Sequence, residues 1–326
     1  MSSCYVKNRF NAPSTLSWAV ASMAAMMLGS PAALPVVDLA ACDAPMQMRA
    51  ALAAGCCLLR PTGAEPTCEA ALEALGAFFA APDAACAGAA RGYERRGDVE
   101  RFRVGPPGAA PEGLAAADAA EAFAENRWPR DPNFRRALEA CYAALAATSA
   151  AALAALEPAL GLRPDALADA CARPTSVLAA NRYGAGSGVA VPAHTDVSLV
   201  TLVYARAGPG GLQVRRGRGF IDAPDGAGLV LTFGAALAAA APRCEATSHR
   251  VLRGARARTS LVFFANPSVD ATLGDGVPYR AWRAAWRAGT GAPDDGDAAD
   301  LDEDPDDDAP APRFVVRDGR LVDVGA

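Results

Sequence analysis

His194-Thr195-Asp196-Val197-Ser198-Leu199-Val200-Thr201-Leu202-Val203-Tyr204 joins two signals within eleven residues. Ser198–Tyr204 is apolar and β-branched enough to read as a short strand. Just ahead of it, His194 and Asp196 stand at i and i+2, a spacing that on a strand turns two side chains to one face. Working outward, Val177–Tyr183 precedes this stretch, and Gly211–Val214, Leu229–Phe233, Ser248–Leu252 and Thr259–Phe264 follow it. Gly, Pro and Asp clusters separate these segments. Short strands with frequent turns predict a sandwich or jelly roll.

The first half has a different texture. Leu34–Leu39 reads as a short buried strand, and helices are expected over about 46–56 and 66–80. Pro82-Asp83 ends the second, because proline cannot continue a helix. Arg91 to Val104 reads as irregular, and Gly105–Gly113, rich in Pro and Gly, as a loop. The strongest helix begins at Asp131, a good N-cap, followed by Pro132 at the first helical position. Phe134, Leu138, Tyr142 and Leu145 continue at helical spacing until Pro158 and Gly161. Further helices are expected at 164–171 and 278–288, the latter with Trp282 and Trp286 as a packing stripe. Arg313–Val324 reads as a hairpin turning at Asp318-Gly319. The order is a helical first half followed by a β-rich second half.

Composition narrows the function. Hydrophobic residues make up 52% of the 326, enough for a sizeable core, although much of that is alanine. The net charge of −5 is uneven, since residues 294–308 hold ten acids and no base. That run reads as a solvated loop; it lacks the central glycine and terminal glutamate of a calcium loop. The rest is mildly basic but shows no basic stripe interleaved with aromatics, which argues against nucleic-acid binding. Nine cysteines form no CxxC pair, so a structural zinc site is not expected and the thiols read as reduced and buried. Residues 1–33 carry Lys7 and Arg9, then no charge until Asp38. They suit either an ordinary arm or a targeting segment. The expected location is therefore cytoplasmic, or an organelle such as a plastid if the segment is a transit peptide. The apolar run Leu16–Leu28 is too short for a stable membrane span.

His194 and His249 are the chain's only histidines. A lone histidine is usually a core or surface residue. Here both share the β-rich half with a spaced aspartate. Two imidazoles and one carboxylate form the facial triad of non-haem Fe(II) oxygenases, which leaves coordination positions open. Arg258 and Ser260 also share a strand face. A guanidinium can grip a carboxylate through two parallel hydrogen bonds, and a neighbouring hydroxyl adds another.

With these motifs in order, the chain resembles the 2-oxoglutarate- and Fe(II)-dependent dioxygenases of the plant type, in the superfamily that includes isopenicillin N synthase. The resemblance spans roughly 34–268. It rests on Asn181-Arg182-Tyr183, His194-Thr195-Asp196, Gly210–Val214, His249-Arg250-Val251 and Arg258-Thr259-Ser260. Weaker pieces in the same order are Leu34–Leu39, Phe78-Phe79, Arg91-Gly92-Tyr93, Asp118 to Phe123, and Trp128-Pro129 before Phe134-Arg135. It implies an α+β fold, a double-stranded β-helix (jelly roll) core flanked by N-terminal and C-terminal helices. The implied organisation is an arm or targeting segment at 1–33, a helical N-terminal region at 34–160 and the jelly-roll domain at 174–270. A C-terminal helix, acidic loop and hairpin would follow at 271–326. It implies His194, Asp196 and His249 as iron ligands, Arg258 and Ser260 as the clamp on the distal carboxylate of 2-oxoglutarate, and Asn181 and Tyr183 beside that co-substrate. Three places depart from the family's usual pattern: Gly184-Ala185-Gly186 after Tyr183, Phe220 where Trp is common, and Thr232-Phe233-Gly234-Ala235.

The expected activity is hydroxylation or desaturation of a small organic metabolite with O2, releasing succinate and CO2, with ascorbate as a supporting reductant. The expected protein is a monomer whose partners are O2 and that metabolite, not nucleic acid or membrane. Rival readings are an iron oxidase of the same fold that does not use 2-oxoglutarate, a non-catalytic small-molecule binder, and, more weakly, a cupin.

Overall fold

Alternation along the strands sets the layers. In Cys56–Leu59, Val200–Ala205 and Leu229–Phe233, successive side chains enter two different apolar clusters. Cys57, Leu59, Leu202, Tyr204, Leu229 and Leu231 join the helices on one side. Cys56, Leu58, Val203 and Val230 join Val191, Leu212, Val214 and Val251 on the other. Period-two alternation with both faces apolar is what a sheet buried on both sides requires.

The computed structural model describes residues 34–290, apart from positions 89, 207, 209, 210, 225, 227, 242 and 275, together with strand residues 314–317 and 320–323. The N-terminal segment 1–33, the acidic run 294–308 and the Asp318-Gly319 turn lie outside the described residues. Twelve strands build the two principal sheets, in chain order Val36–Val37 (β1), Cys56–Leu59 (β2), Gly92–Arg96 (β3), Val99–Val104 (β4), Val177–Tyr183 (β5), Val189–His194 (β6), Val200–Ala205 (β7), Leu212–Arg216 (β8), Gly219–Asp222 (β9), Leu229–Phe233 (β10), His249–Leu252 (β11) and Arg258–Ala265 (β12). The larger sheet runs β1-β2-β10-β7-β12-β5-β4-β3 and the smaller β6-β11-β8-β9. Only the β1–β2 pair in them is parallel. The jelly-roll α+β expectation is met.

Helices Ala44–Ala54 (α1), Glu65–Ala80 (α2) and Pro132–Leu160 (α4) supply the apolar side chains that pack on the outer face of the larger sheet. Between them in sequence lies the short Ala116–Ala122 (α3). As expected, Asp131 caps α4, its side chain accepting from Asn133 N at 2.9 Å. The helix runs through Pro158 to Leu160, and Gly161 closes it in the left-handed conformation at φ 74°. By length and composition α4 could cross a membrane, but its apolar stripe from Phe134 to Leu160 is buried against α1, α2 and the sheet. Ala166–Ala170 (α5) and Ala235–Ala240 (α6) are short, and Tyr279–Thr290 (α7) buries Trp282 and Trp286 as the sequence suggested. The hairpin expected at 313–324 is present as Phe314–Arg317 paired with Arg320–Asp323.

One difference matters. The first half is not simply helical, since β1 to β4 all belong to the larger sheet. In particular, residues 92–104, read as irregular, form the β3–β4 hairpin at its edge. All cysteines among the described residues are free, and only Cys42 is exposed.

Candidate metal centre

The smaller sheet brings the two histidines together. His194 ends β6 and His249 begins β11, and the two are direct cross-strand partners. Their rings lie 4.3 Å apart. Each ring is fixed by its own backbone: His194 Nδ1 stands 2.9 Å from Pro192 O, and His249 Nδ1 3.0 Å from Thr247 O. A carbonyl can only accept, so each Nδ1 carries the proton and each Nε2 is left with a free lone pair. This is the arrangement that holds a metal-binding imidazole in place.

Both lone pairs point at one carboxylate. Asp196 Oδ1 lies 3.6 Å from His194 Nε2, and Asp196 Oδ2 lies 3.7 Å from His249 Nε2. Asp196 is 3% exposed, and its Oδ2 has no hydrogen-bond partner among the described residues. A buried carboxylate oxygen left without a donor is costly unless a cation satisfies it. Donors about 2.0–2.2 Å from one ion stand on the order of 3 Å from each other. The three ligand atoms here all lie within 4.8 Å of one another, so closing on an ion takes side-chain movements of no more than about an ångström. The residues fit a divalent metal. Burial, then the neighbouring His249, push the His194 imidazole down to about 4, against the pull of Asp196, so it stays neutral and ready to ligate near pH 7.

Asp196 is not on the strand with His194, as the i, i+2 spacing suggested. β6 stops at His194, and Asp196 lies in the connection to β7. What aims it is the end of β10. Ala235 N donates to Asp196 O at 2.7 Å, Gly234 N to Leu199 O at 2.9 Å and Ala236 N to Ser198 O at 3.2 Å. A Cβ on Gly234 would sit 1.9 Å from Ser198 O, so only glycine allows this approach. The same strand end holds the other ligand strand. Thr247 N donates to Phe233 O at 2.7 Å, and Phe233 N to Thr247 Oγ1 at 2.9 Å. Thr247 Oγ1 in turn donates to Gly55 O, at the foot of β2. Sequence reading noted Phe233-Gly234-Ala235 only as a departure from a family pattern and passed over Thr247.

The expected co-substrate residues sit on the facing sheet. Arg258 is the cross-strand partner of Tyr183, and Ser260 of Asn181. Arg258, Ser260 and Val262 share one face, whereas Leu261 and Phe263 turn to the helices. Tyr183 belongs to the cluster between the sheets, which places all four on the inner face. Ser260 and Asn181 are buried, and Asn181 Oδ1 has no partner among the described residues. Two motifs distant in sequence are thus one two-by-two patch. Phe220 does not join it; its ring lies between the guanidiniums of Arg215 and Arg250, at 4.9 and 4.1 Å.

Residues 174–267 match the family model of the 2OG-Fe(II) oxygenase superfamily. That stretch is a 2OG-Fe(II) oxygenase domain. The oxygenase is similar to a 2OG-Fe(II) oxygenase family protein from Caulobacter crescentus, at 25% identity and TM-score 0.62, covering 73% of this chain and 88% of that one. It is also similar in fold to a full-length Neurospora crassa protein solved in complex with alpha-KG and 5-formyluracil, at 20% identity and TM-score 0.60 over 74% of this chain and 86% of that one. A further likeness is JOX2 in complex with 2OG, Fe and JA, at 20% identity and TM-score 0.63 over 78% and 84%. No curated protein matches the chain. The oxygenase is a 2-oxoglutarate-dependent non-haem iron dioxygenase whose cofactors are Fe(II) and 2-oxoglutarate.

Proposed function

We propose that this oxygenase hydroxylates or desaturates a small organic metabolite with O2, holding Fe(II) on His194, Asp196 and His249. The observation that carries the ligand assignment is the pairing of both Nε2 atoms with the two oxygens of one buried aspartate. Held by these three residues, Fe(II) would supply O2 activation, with oxidative decarboxylation of 2-oxoglutarate to succinate and CO2 coupled to oxidation of a substrate C–H bond. The protein's part is placement and shielding. Arg258 and Ser260 grip the distal carboxylate of 2-oxoglutarate from the facing sheet, and Asn181 offers its buried oxygen or amide beside it. The apolar walls between the sheets exclude water. Both histidines are used as ligands, so no imidazole remains for general acid–base work. The small ligands named with the Neurospora crassa protein and JOX2 support a small-molecule substrate.

Succinate release from the purified protein tests the reading, using Fe(II), ascorbate, 2-oxoglutarate and pooled small metabolites. Succinate that rises with a metabolite pool and vanishes in His194→Ala is expected. Turnover of O2 without succinate would point to an oxidase independent of 2-oxoglutarate.

A further inference from the structure

Two five-residue connections join the sheets at one end of the sandwich. Residues 184–188 run from Tyr183, which ends β5, to Val189, which begins β6. Residues 253–257 run from Leu252, which ends β11, to Arg258, which begins β12. Each ties a strand bearing a proposed metal ligand to a strand bearing proposed co-substrate residues. His194 stands at the far end of β6, and His249 at the far end of β11. The loop of Asp196 is fastened at the opposite end of β12, where Leu199 N donates to Ala265 O at 3.0 Å. The path from Arg258 to the metal centre therefore runs along the strands, starting from these two connections.

The connections are stitched to each other and to the turn between β3 and β4. Gly186 N donates to Gly254 O and Arg253 N to Gly188 O, both at 2.9 Å. Asp98, in that turn, holds both connections. Its carbonyl accepts from Gly184 N at 3.2 Å. Its carboxylate takes both terminal nitrogens of Arg253, Nη1 on Oδ2 and Nη2 on Oδ1, the second at 3.1 Å. A two-point grip of this kind fixes orientation as well as distance. A Cβ on Gly186 would stand 3.1 Å from Arg253 Cδ, and one on Gly184 3.4 Å from Asp98 Oδ2. A larger side chain at either place would press on the pair. The departure from the family's pattern after Tyr183 thus leaves room for Asp98 and Arg253 to meet.

We propose that Asp98 and Arg253 are positioning residues for 2-oxoglutarate: their ion pair fixes the connection that leads into Arg258 and so sets co-substrate affinity. This rests on the clamp role proposed above for Arg258. Val99, next to Asp98, pairs with Tyr183, and Tyr183 pairs with Arg258, so the ion pair closes the end row that carries the clamp. Asp98 is exposed, and an ion pair open to water adds little to overall stability. Its effect is local. With Arg253 released, the glycine-containing connection gains freedom next to Arg258. The grip on the distal carboxylate must then be ordered each time 2-oxoglutarate binds, which costs affinity.

The test loads the full-length protein with Fe(II) and titrates 2-oxoglutarate without O2, reading the charge-transfer absorbance of the complex. Asp98→Asn and Arg253→Gln are each expected to raise the 2-oxoglutarate Kd about three- to tenfold, the cost of ordering one or two side chains. Iron content and thermal unfolding are expected to stay at wild-type values. Both changes remove one contact, so the double variant is expected to be no worse than either single one. Asp98→Glu, which keeps the charge, is expected to bind 2-oxoglutarate more tightly than Asp98→Asn. An unchanged Kd in both single variants, losses that add in the double variant, or no gain from Glu over Asn overturns the proposal. So does a fall in iron content or thermal stability in step with affinity, which would make the pair a general structural tie. Arg258→Gln is the control. Weakened binding there, with none in the pair variants, sinks this proposal alone. A wild-type Kd in Arg258→Gln overturns the clamp reading, and this proposal with it. No charge-transfer band in the wild-type protein would overturn the iron and 2-oxoglutarate reading, and again this proposal with it.

Discussion

At the residue scale, the site depends on two imidazoles that have no substitutes. Replacing either His194 or His249 with Ala is expected to weaken Fe(II) binding by at least about a hundredfold, beyond what loss of a supporting contact costs. Iron content after gel filtration checks this; near-full loading of either variant would overturn the ligand assignment. The depressed His194 has a second consequence. An unfolded histidine takes up a proton below about 6.5, whereas the folded His194 resists until about 4. Across that window the unfolded state binds more protons, so stability falls as pH falls. Metal-free protein is expected to lose roughly 1.4 kcal/mol per pH unit between these limits on account of this group. Unfolding by denaturant at several pH values checks it, and the same slope in His194→Gln would show another group responsible. The triad itself was legible in the sequence because chemistry restricts which residues can serve and the chain has only two histidines. The seat of Asp196 was not, because its direction comes from backbone bonds to residues nearly forty positions away.

At the element scale, the corner between β10 and α6 is the part most sensitive to change. Gly234→Ala would force a methyl into Ser198 O and displace the loop that bears Asp196. The expected outcome is a loss of about 1–3 kcal/mol in stability together with weakened iron binding. Gly76, inside α2 with open space around its would-be Cβ, is the contrast. Gly76→Ala is expected to raise stability by about 0.5–1 kcal/mol and leave iron content alone. Thermal unfolding with iron analysis distinguishes the two, and a harmless Gly234→Ala would remove the fastening role. Strands with two apolar faces, such as β5 and β10, announced themselves in the sequence within a residue. The β3–β4 hairpin did not. Its inward positions are Glu94, Arg96, Arg101 and Arg103, so the alternation that marks a strand is charged where it is usually apolar. The short β9 and α6 left too few residues for any period to register.

At the scale of the whole molecule, the candidate metal ligands and the proposed clamp stand on different sheets. His194 and His249 belong to the smaller sheet, Arg258 and Ser260 to the larger. The valines and leucines between them, from Val203 and Val230 to Val214 and Val251, are spacers that hold the two walls at a fixed separation. Packed sheets stand about 10 Å apart and resist compression. On the proposed reading the sandwich is a calliper set to the length of a diacid. Oxaloacetate, one carbon shorter than 2-oxoglutarate, and 2-oxoadipate, one carbon longer, are each expected to bind at least about tenfold more weakly, the usual discrimination for a methylene in a rigid site. Competition for the 2-oxoglutarate charge-transfer band measures this directly; equal affinity for all three would mean that the gap yields. On that view a core valine far from the metal is part of co-substrate selection, because trimming it resets the jaw.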